Sequence, residues 1–129
     1  MSFKKGYSMT LSELDIEHAV EILREPKSRR DLAYLILLLI PIGKVVSYST
    51  LASILKTSPR AVARYLAHNR FAPLIPCHRV VKKNGDLGGY TPGGSFIKRK
   101  LLELEGVQID DCRIPDHAFF DDELQKLIS

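Results

Sequence analysis

The sequence predicts a mainly α fold with a small β element, and three observations carry that prediction. Apolar residues recur at helical spacing through most of the chain. Proline and Ser-Pro signals cut those stretches into short helices. Only Ile42–Tyr48 and Val80-Val81 read as extended. At 129 residues the chain makes one domain, or one plus a short extension, with a core that needs no metal or disulfide staple.

The first helix spans Leu11 to Arg24, with Leu11, Leu14, Ala19, Ile22 and Leu23 facing inward, and ends before Pro26. It belongs to an N-terminal extension over residues 1–31. A second helix, Asp31 to Leu39, is apolar on nearly every face after Ala33 and reads as the buried centre, stopping at Pro41. After the extended stretch, Ser49 caps a short helix through Leu55. Ser58-Pro59 is an N-cap followed by proline at the first helical position, which starts another helix, Pro59 to His68. Val62, Tyr65 and Leu66 face inward there, while Arg60, Ala61, Ala63, Arg64 and Ala67 make a small, basic outer face. Two helices so joined form a helix-turn-helix, a unit that also occurs as plain packing. Ser95 to Glu105 is helical with Ile97, Leu101 and Leu104 inward and Gly106 just past its end. Glu105 lies one turn beyond Leu101, on the core side. Residues 108–129 form an acidic extension closed by a short helix over Asp121 to Ile128.

Charge is unevenly spread. The chain carries +4, but residues 56–100 hold ten basic residues and one acidic, whereas residues 101–129 hold two basic and eight acidic. The central block is the footprint expected for a phosphate backbone, or else a solvated basic face. Lys4-Lys5 is followed by no apolar run, so no signal peptide is expected, and Leu35 to Ile40 is too short to span a bilayer. Cys77 and Cys112 lack zinc-site spacing, so no metal is expected, and a reducing intracellular compartment is the default.

Ile75-Pro76-Cys77-His78-Arg79-Val80-Val81 places a thiol beside an imidazole in an apolar frame. An adjacent His takes the thiol proton and raises the thiolate fraction near neutral pH, although the same pair fits an inert core thiol. Asn84 to Gly94 follows with five glycines, which let backbone N–H groups approach a flat ligand or simply connect two elements.

Val45-Val46-Ser47-Tyr48-Ser49-Thr50-Leu51-Ala52, Pro59-Arg60-Ala61-Val62, Asn69, Pro76-Cys77-His78-Arg79-Val80, Gly88-Gly89-Tyr90, Gly93-Gly94 and Leu101-Leu102-Glu103-Leu104-Glu105-Gly106, in that order, closely resemble the O6-alkylguanine-DNA alkyltransferases over residues 32–107. The resemblance implies a winged-helix-like helix-turn-helix DNA-binding domain. It implies direct repair, in which an alkyl group moves irreversibly from guanine O6 to Cys77, once per molecule, after the base is flipped from the minor groove. His78 activates Cys77 through a bridging water and Glu105 orients that His. Tyr48 protonates the departing guanine, and Asn69 is the hinge between recognition helix and active-site loop. Arg60 is the finger that fills the vacated stack, with Ala61, Ala63, Arg64, Ala67 and Tyr48 on the DNA face. Val80, Tyr90, Thr91, Gly88 and Gly89 form the base pocket. Implied with these are a monomer acting on double-stranded DNA that carries O6-alkylguanine, no cofactor, and a cytoplasmic location, nuclear in a eukaryote; other repair proteins are possible partners. Cys112 matches no motif and is expected to be structural.

Three features depart from the family pattern. About thirty residues stand where a larger N-terminal domain is common, which makes this a reduced form. Ala63-Arg64-Tyr65 replaces smaller residues, and Arg70 replaces the proline after the hinge asparagine. The alternative is a non-enzymatic alkyltransferase-like protein that holds the lesion and recruits another pathway; those relatives typically lack the acceptor cysteine that this chain keeps. A sequence-specific transcription factor would need base-edge contacts, and an alanine-rich face suits sequence-tolerant minor-groove contact instead.

Overall fold

A computed structural model describes residues 12–129; Leu11, where the first predicted helix begins, and Lys4-Lys5 lie outside the described residues. The elements run α1 (Glu13–Arg24), α2 (Arg29–Leu37), β1 (Val46–Ser47), α3 (Tyr48–Leu55), α4 (Pro59–Ala67), β2 (Val80–Val81), α5 (Gly94–Leu104) and α6 (Asp121–Ile128). Short 3-10 turns cover Cys77–Arg79 and Asp116–Ala118. The fold is mainly helical, with one two-stranded parallel sheet in the register Val46 to Val80 and Ser47 to Val81. Among the described residues no helix is long and apolar enough to cross a membrane.

Helix α1 starts with a capping box, in which the Asp15 N–H donates to Ser12 Oγ and the Ser12 N–H donates to Asp15 Oδ2. Its buried side is Ala19 with Ile22 and Leu23 at its edge. Leu14 is 76% exposed rather than inward, because five residues before Ala19 it points about 140° away around the helix. Helix α2 is capped by Ser28 and begins at Arg29, two residues ahead of its expected start. It is not buried all round. Its partners α1, α3 and α4 cover the side bearing Ala33, Tyr34 and Leu37, and leave Leu32, Leu35, Leu38 and Leu39 exposed.

The helix-turn-helix is α3 and α4. Ser47, not Ser49, caps α3: its Oγ accepts from the Thr50 N–H at 3.1 Å, so Tyr48 becomes the first helical residue. Lys56 ends α3 in the left-handed region, φ 57°, and Ser58-Pro59 starts α4, with Ser58 Oγ accepting from the Ala61 N–H. Val62 and Leu66 are buried as expected. Ala61 is not on the outer face; it is 6% exposed, because residues 61, 62, 65 and 66 share one side of a helix and that side meets the core.

Helix α5 is rotated from its expected setting. Lys98 and Leu102, one turn apart, are fully buried, and Ile97 and Leu101 flank them. Leu104 is 83% exposed, since seven residues on from Ile97 it returns to that margin and slightly beyond it. Gly106 follows at φ +100°, a conformation glycine adopts without steric cost. Residues 108–129 pack back on the domain. The Val45 N–H donates to Ala118 O and the Phe120 N–H donates to Val45 O, which lays the tail along the free edge of β1. Ile114 and Ala118 join Val45, Val81 and Leu102 in one apolar cluster, and Leu124 enters the larger one. Each such fully buried Leu or Ile contributes roughly 1.5–3 kcal/mol.

Candidate active site

The β1–β2 pair brings two functional segments together: Tyr48 directly follows β1, and the turn Cys77–Arg79 directly precedes β2. Cys77 is 5% exposed. Its side chain lines a cavity of about 160 Å³ shared with Tyr48, Ala63, Leu66, Ala67, Gly89, Tyr90 and Thr91. Beyond lies an open cleft of about 810 Å³ lined by Arg60, Lys82, Lys83, Gly88 and the α4 start, with Tyr48, Ala63 and Gly89 common to both. A small, half-open space with the thiol residue in its wall therefore adjoins a basic surface groove.

The two residues that follow the thiol in sequence enter a chain of charge-assisted bonds. Arg79 donates from Nε to Glu105 Oε1 at 3.0 Å and from Nη2 to Glu105 Oε2 at 2.8 Å, and its Nη1 donates to Ile40 O. His78 Nε2 lies 2.9 Å from Glu105 Oε2. A carboxylate accepts, so Nε2 carries the proton in neutral His78 and Nδ1 presents its lone pair. Nδ1 is buried and has no hydrogen-bond partner. Burial lowers the His78 pKa more than Glu105 raises it, which favours the neutral imidazole. Burial pushes Glu105 up, but Arg79 and His78 outweigh it and the carboxyl sits below its ordinary range.

The expectation of a raised thiolate fraction at rest is overturned. Burial raises the Cys77 pKa, and Asn69 and Lys98 only partly offset it. The resting sulfur is a thiol that needs a base when it reacts.

Asn69, buried at the end of α4, donates from Nδ2 to Ile75 O at 2.8 Å and accepts the Phe71 N–H on Oδ1 at 3.0 Å. It thus ties both ends of the loop leading to Cys77. Arg70, in place of the family's proline, bonds His18 of α1 and lies over the Phe71 ring, so that the extension braces the same loop. Thr91 Oγ1 donates to Ala67 O at 3.1 Å and fastens the glycine-rich loop to α4.

Tyr48 reaches across this loop. Lys98 Nζ donates to Gly89 O at 3.1 Å and to Tyr48 Oη at 3.4 Å. Burial raises the Tyr48 pKa to about 12, with the neighbouring Cys77 adding to it, and lowers that of Lys98 to about 8. Gly88 has φ +79°, and a Cβ there would stand 3.0 Å from Tyr48 Oη and 3.2 Å from its Cε2. Glycine is required for this close approach.

The expected residues therefore fall into groups. Cys77, Tyr48, Gly89, Tyr90 and Thr91 meet at the small cavity, with Ala63 and Ala67 on its α4 side. Arg60 and Gly88 line the outer cleft. Arg64 is exposed but lines neither space, Ala61 is buried, and Val80 is buried within the β pair rather than in the cavity wall. Cys112 is exposed beside Arg99 rather than packed inside. Lys98 and Arg79 were not singled out from sequence. Lys98 stands one turn before Leu102 on the buried side of α5, a signal hidden because periodicity counts skip charged residues. Arg79 adjoins the Cys-His pair. Among the described residues no group of three or more His, Cys, Asp or Glu could hold a metal ion.

Comparison with known proteins gives concordant matches. The family profile described as 6-O-methylguanine DNA methyltransferase, DNA binding domain, matches residues 29–107. A methylated-DNA–protein-cysteine methyltransferase of Pyrobaculum aerophilum is 46% identical over 94 residues, covering 71% of this chain and 63% of that protein. Among solved structures, Mycobacterium tuberculosis OGT in complex with DNA superposes with a TM-score of 0.57 at 37% identity, covering 63% of this chain and 50% of that one. Schizosaccharomyces pombe Atl1, in complex with damaged DNA containing O6-carboxymethylguanine, gives 0.57 at 26% identity over 64% of this chain and 79% of that one. The chain spans less than two thirds of the length of the curated relatives it matches.

Proposed function

The chain belongs to the 6-O-methylguanine DNA methyltransferase DNA-binding-domain family, and from that premise we propose that it repairs O6-alkylated guanine in duplex DNA by moving the alkyl group onto Cys77. The observation that carries this reading is the Arg79–Glu105–His78 chain, next in sequence to a thiol that lines a cavity beside a basic cleft.

The groove made by Arg60, Lys82, Lys83 and the small residues of α4 receives the phosphate backbone, and the target base leaves the stack for the cavity beside Cys77. Arg60, at the second position of α4, fills the space the base vacates. In the cavity the thiol gives its proton to His78 Nδ1 through a water molecule, and Glu105 stabilises the imidazolium that forms. The thiolate attacks the alkyl carbon: a C–S bond forms, the C–O6 bond breaks, and its electron pair passes into the purine. Tyr48, held protonated by its raised pKa, donates its proton to the ring, while Lys98 at its oxygen steadies the phenolate left behind. The product is a thioether, a neutral sulfur whose C–S bond is inert to hydrolysis at neutral pH, so each molecule acts once. Likeness to Atl1 raises the alternative of lesion binding without transfer. Cys77 with a general base next to it in sequence favours transfer.

Mass spectrometry after incubation with O6-methylguanine duplex tests the proposal. One methyl group is expected on the peptide bearing Cys77. Cys77→Ser should abolish transfer yet bind the duplex within about twofold of wild type, because the basic groove is untouched, and Cys112→Ser should behave as wild type. Tight lesion binding with no covalent adduct would establish the alternative.

A further inference from the structure

We infer that Asp121, in the tail beyond the family domain, is a positioning residue for Tyr48. This rests on the repair reading above, in which Tyr48 is the proton donor. Asp121 opens α6, and its Oδ2 accepts three bonds: from Ser47 Oγ at 2.7 Å, from Thr50 Oγ1 at 2.6 Å and from the Ser47 N–H at 3.3 Å. The two shortest have the length of charge-assisted bonds. Ser47 is the α3 cap, and by donating its hydroxyl proton to Asp121 it keeps a lone pair aimed at the Thr50 N–H. The carboxylate thereby fixes the cap and places negative charge at the α3 N-terminus, where the helix dipole favours it. Tyr48 and Ser49 lie between these anchors, and the Tyr48 hydroxyl must clear Gly88 by close contact to reach Lys98. A small rotation of the first turn of α3 would move that hydroxyl against the glycine backbone or away from the cavity. The matched family region ends at residue 107, so the tail supplies part of the site's geometry from outside it.

The test is a double-mutant cycle read at saturating O6-methylguanine duplex. Asp121→Ala should slow single-turnover transfer about tenfold with duplex affinity unchanged within twofold. In a Tyr48→Phe background, where no hydroxyl remains to be positioned, the same change should cost less than twofold. Hydrogen exchange gives a readout independent of activity: amides of residues 46–52 should exchange faster in Asp121→Ala while those of α5 keep the wild-type rate. Equal losses in both backgrounds, or exchange that rises uniformly over the domain, would assign Asp121 to general stability and overturn the inference. Should Asp121→Ala fail to fold, Thr50→Val, isosteric and lacking one of the three donors, carries the same test, with about a threefold loss expected in the wild-type background and none with Tyr48→Phe. A wild-type chain that transfers nothing overturns the repair reading itself, whereas an Asp121→Ala variant as fast as an active wild type overturns the positioning role alone.

Discussion

Replacing Glu105 by Gln keeps the shape of the relay and removes its charge. The wild-type carboxylate oxygen lies 2.9 Å from His78 Nε2, with the two side chains 17% and 2% exposed. At that separation and an effective dielectric near 20, the attraction for an imidazolium is about 6 kcal/mol. Desolvation of the partners offsets part of it, and loss of one member of a buried pair typically costs about 3–5 kcal/mol. Arg79, deprived of its counter-charge, would further oppose a positive His78. Because Oε2 accepts from both His78 and Arg79, the Gln carbonyl oxygen takes that place and the His78 tautomer is kept, so the loss reports charge rather than geometry. Taking about 3–4 kcal/mol as the rise in barrier, transfer should slow by roughly 10²–10³-fold. The assay is single-turnover alkylation of Cys77 from a saturating duplex, followed by quenching and mass spectrometry, with affinity measured separately on an unreactive duplex. The deficit should shrink as pH rises, because hydroxide then ionises a thiol whose pKa burial has raised. A Glu105→Gln protein that reacts within threefold of wild type at neutral pH would refute the relay, and so would a deficit that stays constant through alkaline pH.

Three further outcomes are expected. Arg60→Ala should slow transfer from duplex DNA at least tenfold more than transfer from free O6-benzylguanine, since only the duplex must lose a stacked base, a cost of a few kcal/mol; equal slowing in single-turnover assays would make Arg60 structural. Gly88→Ala places a Cβ 3.0 Å from Tyr48 Oη on a backbone at φ +79°, so a loss of about 1–3 kcal/mol in denaturant titrations should accompany slower transfer from both substrates. Lys98 is depressed to about 8 mainly by burial; because the unfolded chain holds that proton at higher pH than the fold does, Lys98 should add about 1 kcal/mol of stability between pH 8 and 9. The raised Cys77 thiol works the opposite way over the same window, so the comparison is made in a Cys77→Ser background: Lys98→Met should lose the climb there, and a Cys77→Ser curve flat over the window would contradict it.

Local chemistry made much of this molecule legible in its sequence. Ser58-Pro59 names the start of α4 because a hydroxyl cap and a residue without an N–H suit one position only, and Pro76-Cys77-His78-Arg79-Val80 marks the turn that presents the thiol. Rotational setting was harder to read. Ala61 and Leu104 have side chains compatible with either side of a helix, and neighbours remote in sequence decided which side met the core. Lys98 was missed because a buried ammonium pays for its place only through Tyr48 and Gly89, 50 and 9 residues away. Ser47 rather than Ser49 caps α3 for the same kind of reason: its hydroxyl is oriented by Asp121, 74 residues on. Dependence on such distant partners cannot be seen in a window of neighbouring residues.

The two-residue ladder between β1 and β2 is the smallest sheet a protein can have, yet it works as a gauge. Val46 opposite Val80 and Ser47 opposite Val81 leave Tyr48 one residue past one strand and Cys77 three residues before the other. Strand side chains alternate faces, so a slip of a single residue would turn every paired side chain over. Length changes should therefore be forbidden within residues 45–48 and 77–81, where they would alter the spacing of proton donor and nucleophile. The exposed turn at Asp111-Cys112 lies outside both the gauge and the basic groove, and it closes on itself through the Arg113 N–H to Asp110 O bond. Inserted residues, or a fluorescent tag, belong there, where the register has already been set.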